Sequence, residues 1–162
     1  MQDRPKLAQA EIVALRIAYE QAIYEVYDGQ ETIKIKIGQN CPPLDSLIAQ
    51  SDYPKGLASR RAPRSLTDRP TWALITAANP YSQPLSEREN QRRYQRLSKH
   101  LKGLQLPLIP AVGKDQTGVW TPEPSWLILG ITRPKAIAIG QKFEQNAIVY
   151  GELNQAAELQ WL

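Results

Sequence analysis

Residues 71–90 read TWALITAANPYSQPLSEREN, residues 123–132 read EPSWLILGIT, and residues 143–151 read FEQNAIVYG. Trp72 to Ala78 is a continuous apolar run, the pattern of a strand covered on both faces. Asn79-Pro80-Tyr81-Ser82 interrupts it. Ser86, with Glu89 three residues on, is a capping box that starts a helix. Tyr94, Leu97, Leu101 and Leu104 form the buried stripe of that helix, and Gly103 can end it. Leu106–Val112 predicts a strand, and its Pro110 argues for a sheet edge. Gly113–Pro124 reads as a loop and Trp126–Ile131 as another apolar strand. Thr132 then caps a helix whose Ala136, Ile137, Gly140 and Phe143 face inward, with Gly140 permitting a close approach. Ala147–Tyr150 and Ala157–Trp161 read as short strands. From Thr71 to Tyr150 the order is β-α-β-β-α-β. The expectation is an α+β fold with a ferredoxin-like core, two crossover helices lying on one face of an antiparallel sheet.

Outward from this core, the chain reads as one domain over 1–162. Residues 1–50 supply a helix and a hairpin. Pro5–Tyr19 is the helix, with Asp3 as cap, Pro5 in the first turn, and Ile12, Leu15 and Tyr19 on one stripe. Ala22–Tyr27 and Thr32–Ile37 alternate in period two around Asp28-Gly29, a strong hairpin signal. Their isoleucine face should point inward and their lysines outward. Pro42-Pro43 ends the second strand, and Leu44–Ala49 can form a short helix. Residues 51–70 carry three prolines and scattered arginines with no apolar period, which reads as a mobile basic surface loop inserted in the domain.

Composition narrows the function classes. The length of 162 residues can bury a substantial core. Hydrophobic residues make up 42% and charged residues 22%, ordinary values for a globular protein. No apolar run approaches the roughly 20 residues a membrane span requires, and the N-terminus lacks a signal-peptide apolar block. A cytoplasmic protein with no membrane partner is expected. One cysteine and one histidine leave almost no material for a thiolate-rich metal site or a His-based nucleophilic triad. Neither a metal nor a cofactor is expected. The net charge of +4 is unevenly spread. Residues 84–103 carry six basic groups against two acids, and residues 51–70 carry five against two. An anionic partner would feel that concentration.

Three polar patches sit at element junctions. The Asn79–Ser82 turn leads from a strand end to a helix start, where free N–H groups and the helix dipole can receive an anion. Asn79, Ser82 and Ser86 can add hydrogen bonds, and Asn90 falls on the buried stripe beside them. The same residues can equally hold the turn and cap together. Glu123, between Pro122 and Pro124, is a rigidly placed carboxylate able to act as a base, as a partner for Arg93, or as a structural acceptor. Asn146 lies where a helix returns to a strand and also suits a cap. Trp120 in its loop is a candidate for stacking on a planar ligand, whereas Trp126 reads as core. The ligand-binding set is therefore Asn79, Ser82, Ser86, Asn90, Arg93, Trp120, Glu123 and Asn146. His100 lies on a basic, largely exposed helix and reads as solvated.

The segments Ile75-Thr76-Ala77-Ala78-Asn79-Pro80-Tyr81-Ser82, Leu85-Ser86-Glu87-Arg88-Glu89-Asn90, Pro122-Glu123-Pro124-Ser125-Trp126 and Phe143–Tyr150 resemble the DUF3293 family, as does Ile37-Gly38-Gln39. The resemblance runs from about Ala18 to the C-terminus. It implies a small cytoplasmic bacterial domain and supplies no activity and no catalytic residues. The basic segment from Lys55 to Arg69 is longer than that pattern allows.

The function expected first is a non-catalytic binding or adaptor module, rather than an enzyme, for a protein or an anionic small ligand. The alternatives are weak, sequence-independent nucleic-acid binding through the basic helix (Arg88, Arg92, Arg96 and Lys99) and the basic loop of residues 51–70, and an enzyme acting on a small metabolite at the Asn79/Glu123 patch. No strand carries the aromatic pattern of an RNA-reading sheet.

Overall fold

The computed structural model describes residues 8–29, 31–51, 69–118 and 120–162. Asp3, Pro5 and residues 52–68, most of the expected basic loop, lie outside them. The described elements are α1 (Gln9–Gln21), β1 (Ile23–Tyr27), β2 (Thr32–Ile35), α2 (Pro42–Gln50), β3 (Thr71–Thr76), a 3-10 turn (Pro80–Ser82), α3 (Glu87–Lys102), β4 (Leu108–Lys114), β5 (Glu123–Leu129), α4 (Arg133–Lys142), β6 (Ala147–Glu152) and β7 (Glu158–Trp161). All seven strands join one sheet in the order β2-β1-β4-β5-β3-β6-β7, each pair antiparallel. The fold is mixed α and β, with four α-helices among the described residues.

Strand alternation explains the two layers. On β3, Trp72 and Leu74 face one side and Ala73 and Ile75 the other, and all four are buried. β5 and β6 repeat this with Leu127 and Leu129 against Ile128, and Val149 against Ile148 and Tyr150. A strand buried on both faces needs no polar side, hence the continuous apolar runs. One face packs on Leu97 and Leu101 of α3 and on Ala136 and Ile139 of α4. Burying each such aliphatic side chain stabilises the fold by about 1.5–3 kcal/mol.

The other face gathers Tyr24, Val26, Ile33, Ile35, Trp72, Leu74, Leu127, Leu129 and Val149. It is the inside of a curled sheet, because the two ends of the strand order meet. Ile37 bridges Ala157, Gly38 N–H donates to Ala157 O (2.8 Å), and Ala157 N–H donates to Gln39 O (3.1 Å). Leu44 and Ile48 of α2 enter this core, and Asp45 Oδ1 accepts from Asn154 N–H (2.8 Å) at the β6–β7 turn. The opposite end of the curl holds the ends of β3 and β4 and the starts of β1, β5 and β6.

Several local expectations need correction. β4 is internal, pairing with β1 and β5. Pro110 is tolerated because the β1 ladder stops at Val26–Ala111, one residue short of it. Strand β4 also runs on to Lys114 and β5 begins at Glu123, both inside the expected loop. Pro42-Pro43 opens α2, where a missing N–H costs nothing. On β1 the buried face is Tyr24 and Val26, not Ile23, while Ile33 and Ile35 on β2 do point inward. α1 buries no residue, and Val13 and Ile17 remain exposed.

Candidate functional site

The open end of the curled sheet holds a small half-open cavity of about 40 Å³. Its walls are residues of the inner face, among them Leu74, Thr76, Glu123, Ser125, Val149 and Leu159, joined at the mouth by Tyr19 and Trp120. Strand ends bring these groups together. Glu123 is the first residue of β5, beside the last residues of β3 and β4.

Glu123 Oε1 accepts from Asn79 Nδ2 (2.7 Å). Asn79 is also bound by Asn90: its own N–H donates to Asn90 Oδ1 (2.9 Å), while Asn90 Nδ2 donates to Asn79 Oδ1 (2.9 Å). Leu85 N–H donates to the same Asn79 oxygen (3.0 Å). Asn79 is thereby fixed on all sides, and it fixes Glu123 in turn. Burial pushes the Glu123 carboxyl above its ordinary pKa, and the Asn79 hydrogen bond only partly opposes that. Arg93 is not its partner.

A second group adjoins the first. Ser82 Oγ lies 2.8 Å from Tyr19 Oη and accepts from Asn146 Nδ2 (2.9 Å). Asn146 is buried, and its Oδ1 has no hydrogen-bond partner among the described residues. Burial raises the Tyr19 phenol pKa, the Ser82 hydrogen bond opposes this, and nearby Glu123 adds to it. Tyr19 packs edge-on against Trp120 and Trp161, with ring centroids 6.0 and 6.1 Å away.

The turn that carries Asn79 is strained. Asn79, Tyr81 and Ser82 all have positive φ (44°, 51° and 60°), and Glu144, which faces them, has φ 60°. Asn tolerates this region; Tyr and Ser do so at a cost of order 1–3 kcal/mol each. Tertiary bonds hold the turn there: Tyr81 N–H donates to Glu144 O (2.6 Å). Arg93 staples the same junction. It donates from Nε to Ala77 O (2.5 Å), from Nη2 to Phe143 O (2.5 Å), and from Nη1 to Glu144 Oε2 (3.0 Å). Gln145 Nε2 donates to Ala78 O (3.0 Å) and to Phe143 O (3.1 Å).

The expected site residues therefore divide. Asn79, Asn90 and Glu123 form one hydrogen-bonded chain, and Ser82 and Asn146 form its neighbour. Trp120 stands at the mouth. Arg93 is spent on the staple. Ser86 is spent on its capping box: Glu89 Oε2 accepts from Ser86 Oγ (2.6 Å) and Ser86 N–H (3.1 Å). The N–H groups of the turn at 79, 81, 82, 83 and 85 already donate to acceptors within the chain. An anion cradle at this turn is thus filled by the chain's own oxygens. Asn146 is not the left-handed residue closing α4; Glu144 is. His100 is half-buried rather than solvated, 6.0 Å from the Phe143 ring, with Lys142 Nζ 3.3 Å from its Nδ1. Burial and two lysines lower its pKa. Trp126 packs flat on Tyr94 (5.5 Å, 7° between planes).

Sequence reasoning missed Tyr19 and Tyr24 as cavity residues. Tyr19 carried only a helical stripe signal, and nothing local says that a helix end 63 residues upstream closes over Ser82. Arg88, Arg92, Arg96 and Lys99 are all exposed on α3. Among the described residues no group of three or more His, Cys, Asp or Glu side chains is placed to hold a metal ion, and no helix is long and apolar enough to cross a membrane.

Fold and cavity define a mixed α+β protein whose curled antiparallel sheet carries a carboxyl group at its open end. The DUF3293 family model, described as a protein of unknown function, matches residues 75–148. The family match therefore runs from the end of β3 to the start of β6, a shorter stretch than the expected one from about Ala18 to the C-terminus, and it contains Asn79, Asn90, Glu123 and Asn146. No curated protein and no solved structure matches the chain.

Proposed function

We propose that the protein is a small-ligand-binding module whose site is the cavity around Glu123. The observation that carries this reading is a carboxyl group set in a cavity of apolar and aromatic walls, fixed in place by Asn79. Apolar walls with a few converging polar groups are the usual makeup of a ligand site. The strained turn under Asn79 supports it, since such strain collects at binding and catalytic positions. An acid inside the cavity argues against an anionic ligand there. Among the enzyme readings, Glu123 supplies one acid-base group. Its titratable neighbour, the Tyr19 phenol, is pushed further from neutrality by burial, which makes it a poor second partner near pH 7. Binding is thus preferred to catalysis.

The β4-β5-β3-β6 order supports a ferredoxin-like core extended by a hairpin on one side and β7 on the other. The free thiol of Cys41 suits a reducing, cytoplasmic setting, as the family resemblance suggests for a bacterial protein. A second reading, weak nucleic-acid binding, is favoured by one observation: Arg88, Arg92 and Arg96 follow each other at four-residue intervals on the exposed side of α3, with Lys99 beside them.

A fragment panel spanning neutral, cationic and anionic compounds, read by thermal shift, tests the proposal. Fragments that stabilise the wild type should fail to stabilise Glu123→Gln. As control, Asn90→Ala should destabilise the free protein by about 1–3 kcal/mol, through the unpaired groups it leaves on Asn79. If no fragment of any charge discriminates wild type from Glu123→Gln, the cavity is not a ligand site. If Arg92→Ala with Arg96→Ala alone abolishes binding of unrelated oligonucleotides, the second reading takes its place.

A further inference from the structure

We propose that the cavity takes the ammonium head of an alkylamine; this rests on the ligand-binding reading and names its chemistry. Three aromatic rings, Tyr19, Tyr24 and Trp120, and one carboxyl group, Glu123, line the same small space. Aromatic faces attract cations, the more so where water is scarce. Glu123, once ionised, supplies the counter-charge, and an ammonium beside it favours that ionised form. Together they reject an anion and give a neutral alcohol little to gain.

The hydrogen-bonding inventory points the same way. Asn79 Nδ2 already donates to Glu123, and Asn146 Nδ2 to Ser82 Oγ. What is left over on the cavity wall is acceptor capacity: the Glu123 carboxyl takes the Asn79 bond through Oε1, and Ser125 Oγ, which also lines the space, donates its own proton to Glu123 O. An ammonium group offers three donors and no acceptor. Lys114 also lines the space, but its Nζ lies 2.5 Å from Glu25 Oε2, so its charge is met outside the cavity.

Size sets the rest. A cavity of about 40 Å³ has room for only a few water-sized groups. It can seat an ammonium and its first methylene carbons, and it excludes a nucleobase. The half-open mouth beside the exposed Trp120 lets an alkyl chain lead outward. That chain can belong to a free amine or to the side chain of a lysine.

The test titrates the full chain with butylammonium, butanol and butyrate, following the NMR signals of Tyr19, Trp120 and Glu123. Butylammonium should bind, and butanol and butyrate should be at least tenfold weaker. Glu123→Gln should weaken the amine at least tenfold. Trp120→Ala, at an exposed position, should weaken it severalfold without unfolding the protein. Spermidine and an acetylated, amidated lysine peptide separate the sources: tighter binding of spermidine identifies a free amine, and tighter binding of the peptide a lysine side chain. Butanol binding as tightly as butylammonium overturns the cation proposal and leaves the ligand reading standing. An amine that binds Glu123→Gln as well as wild type also overturns it. Silence of the cavity signals toward all three probes overturns it too, and the fragment panel then decides the broader reading on its own.

Discussion

Between the ordinary carboxyl pKa of about 4.3 and its raised folded value, Glu123 holds a proton in the folded protein that it releases in the unfolded chain. Folding stability therefore falls as pH rises through that window. The contribution is fully present below the unfolded pKa and is lost as pH climbs through the folded one. This is the reverse of a salt-bridged carboxylate, because burial here outweighs the single Asn79 hydrogen bond. Glu123→Gln keeps an acceptor for Asn79 Nδ2 and cannot ionise. Its unfolding free energy should lose that component of the decline with pH, and chemical denaturation at several pH values would read the difference. Parallel wild-type and variant profiles across the window would mean that Glu123 is solvated in the folded state. Asn79, Asn90 and Glu123 were all visible in the sequence as polar residues at junctions between apolar runs. Their bonding to one another was not, since the partners are 11 and 44 positions apart and only the β3–β5 pairing aligns them.

At the scale of elements, local chemistry explains the helix starts well and the strand environments poorly. Ser86 and Glu89 mark the start of α3 because a capping box is satisfied within four residues. The place of β4 in the sheet depends on whether another strand covers it, which Pro110 alone misjudges. Close packing between elements adds a constraint of its own. Gly151 of β6 lies opposite Trp72 of β3. A Cβ there would come within 2.3 Å of the Trp72 indole, which is itself buried and cannot swing away. Gly151→Ala should therefore destabilise the protein by about 1–3 kcal/mol, measured by urea denaturation. At Gly140 a Cβ would meet the flexible far end of Leu162 at 2.5 Å and the buried Ile148 Cγ2 at 2.8 Å, against three indole atoms within 2.8 Å at Gly151, so Gly140→Ala should cost less. Equal losses at the two positions would show that Trp72 can move.

Over the whole molecule, the curl of the sheet makes the cavity. A flat seven-stranded sheet would leave the Leu74, Leu127 and Val149 face open to water. Here the meeting of Ile37 with Ala157 folds that face inward. If the closure is part of the cooperative core, the Gly38 and Ala157 amides should exchange hydrogen nearly as slowly as those of β3. Fast exchange at both, with β3 protected, would show that the curl opens on its own. Charge is distributed across this frame as well. The arginines of α3 lie on the helical side of the sheet, away from the inner face that holds Glu123, so the two readings of function address different surfaces.

By itself the sequence determined the alternation of apolar runs, the capped basic helix, the Asp28-Gly29 hairpin and the polar junctions. Each of these is written in neighbours a few positions apart, where period, turn chemistry and capping act directly. Only the tertiary structure decided that β4 is internal, that Arg93 staples a turn rather than meeting Glu123, and that Tyr19 closes over Ser82. Those outcomes depend on which distant groups arrive beside one another. The physical reason is that hydrogen bonds and burial reach only a few ångströms, and only the sheet's pairing and curl bring residues 19, 82, 123 and 146 within that distance.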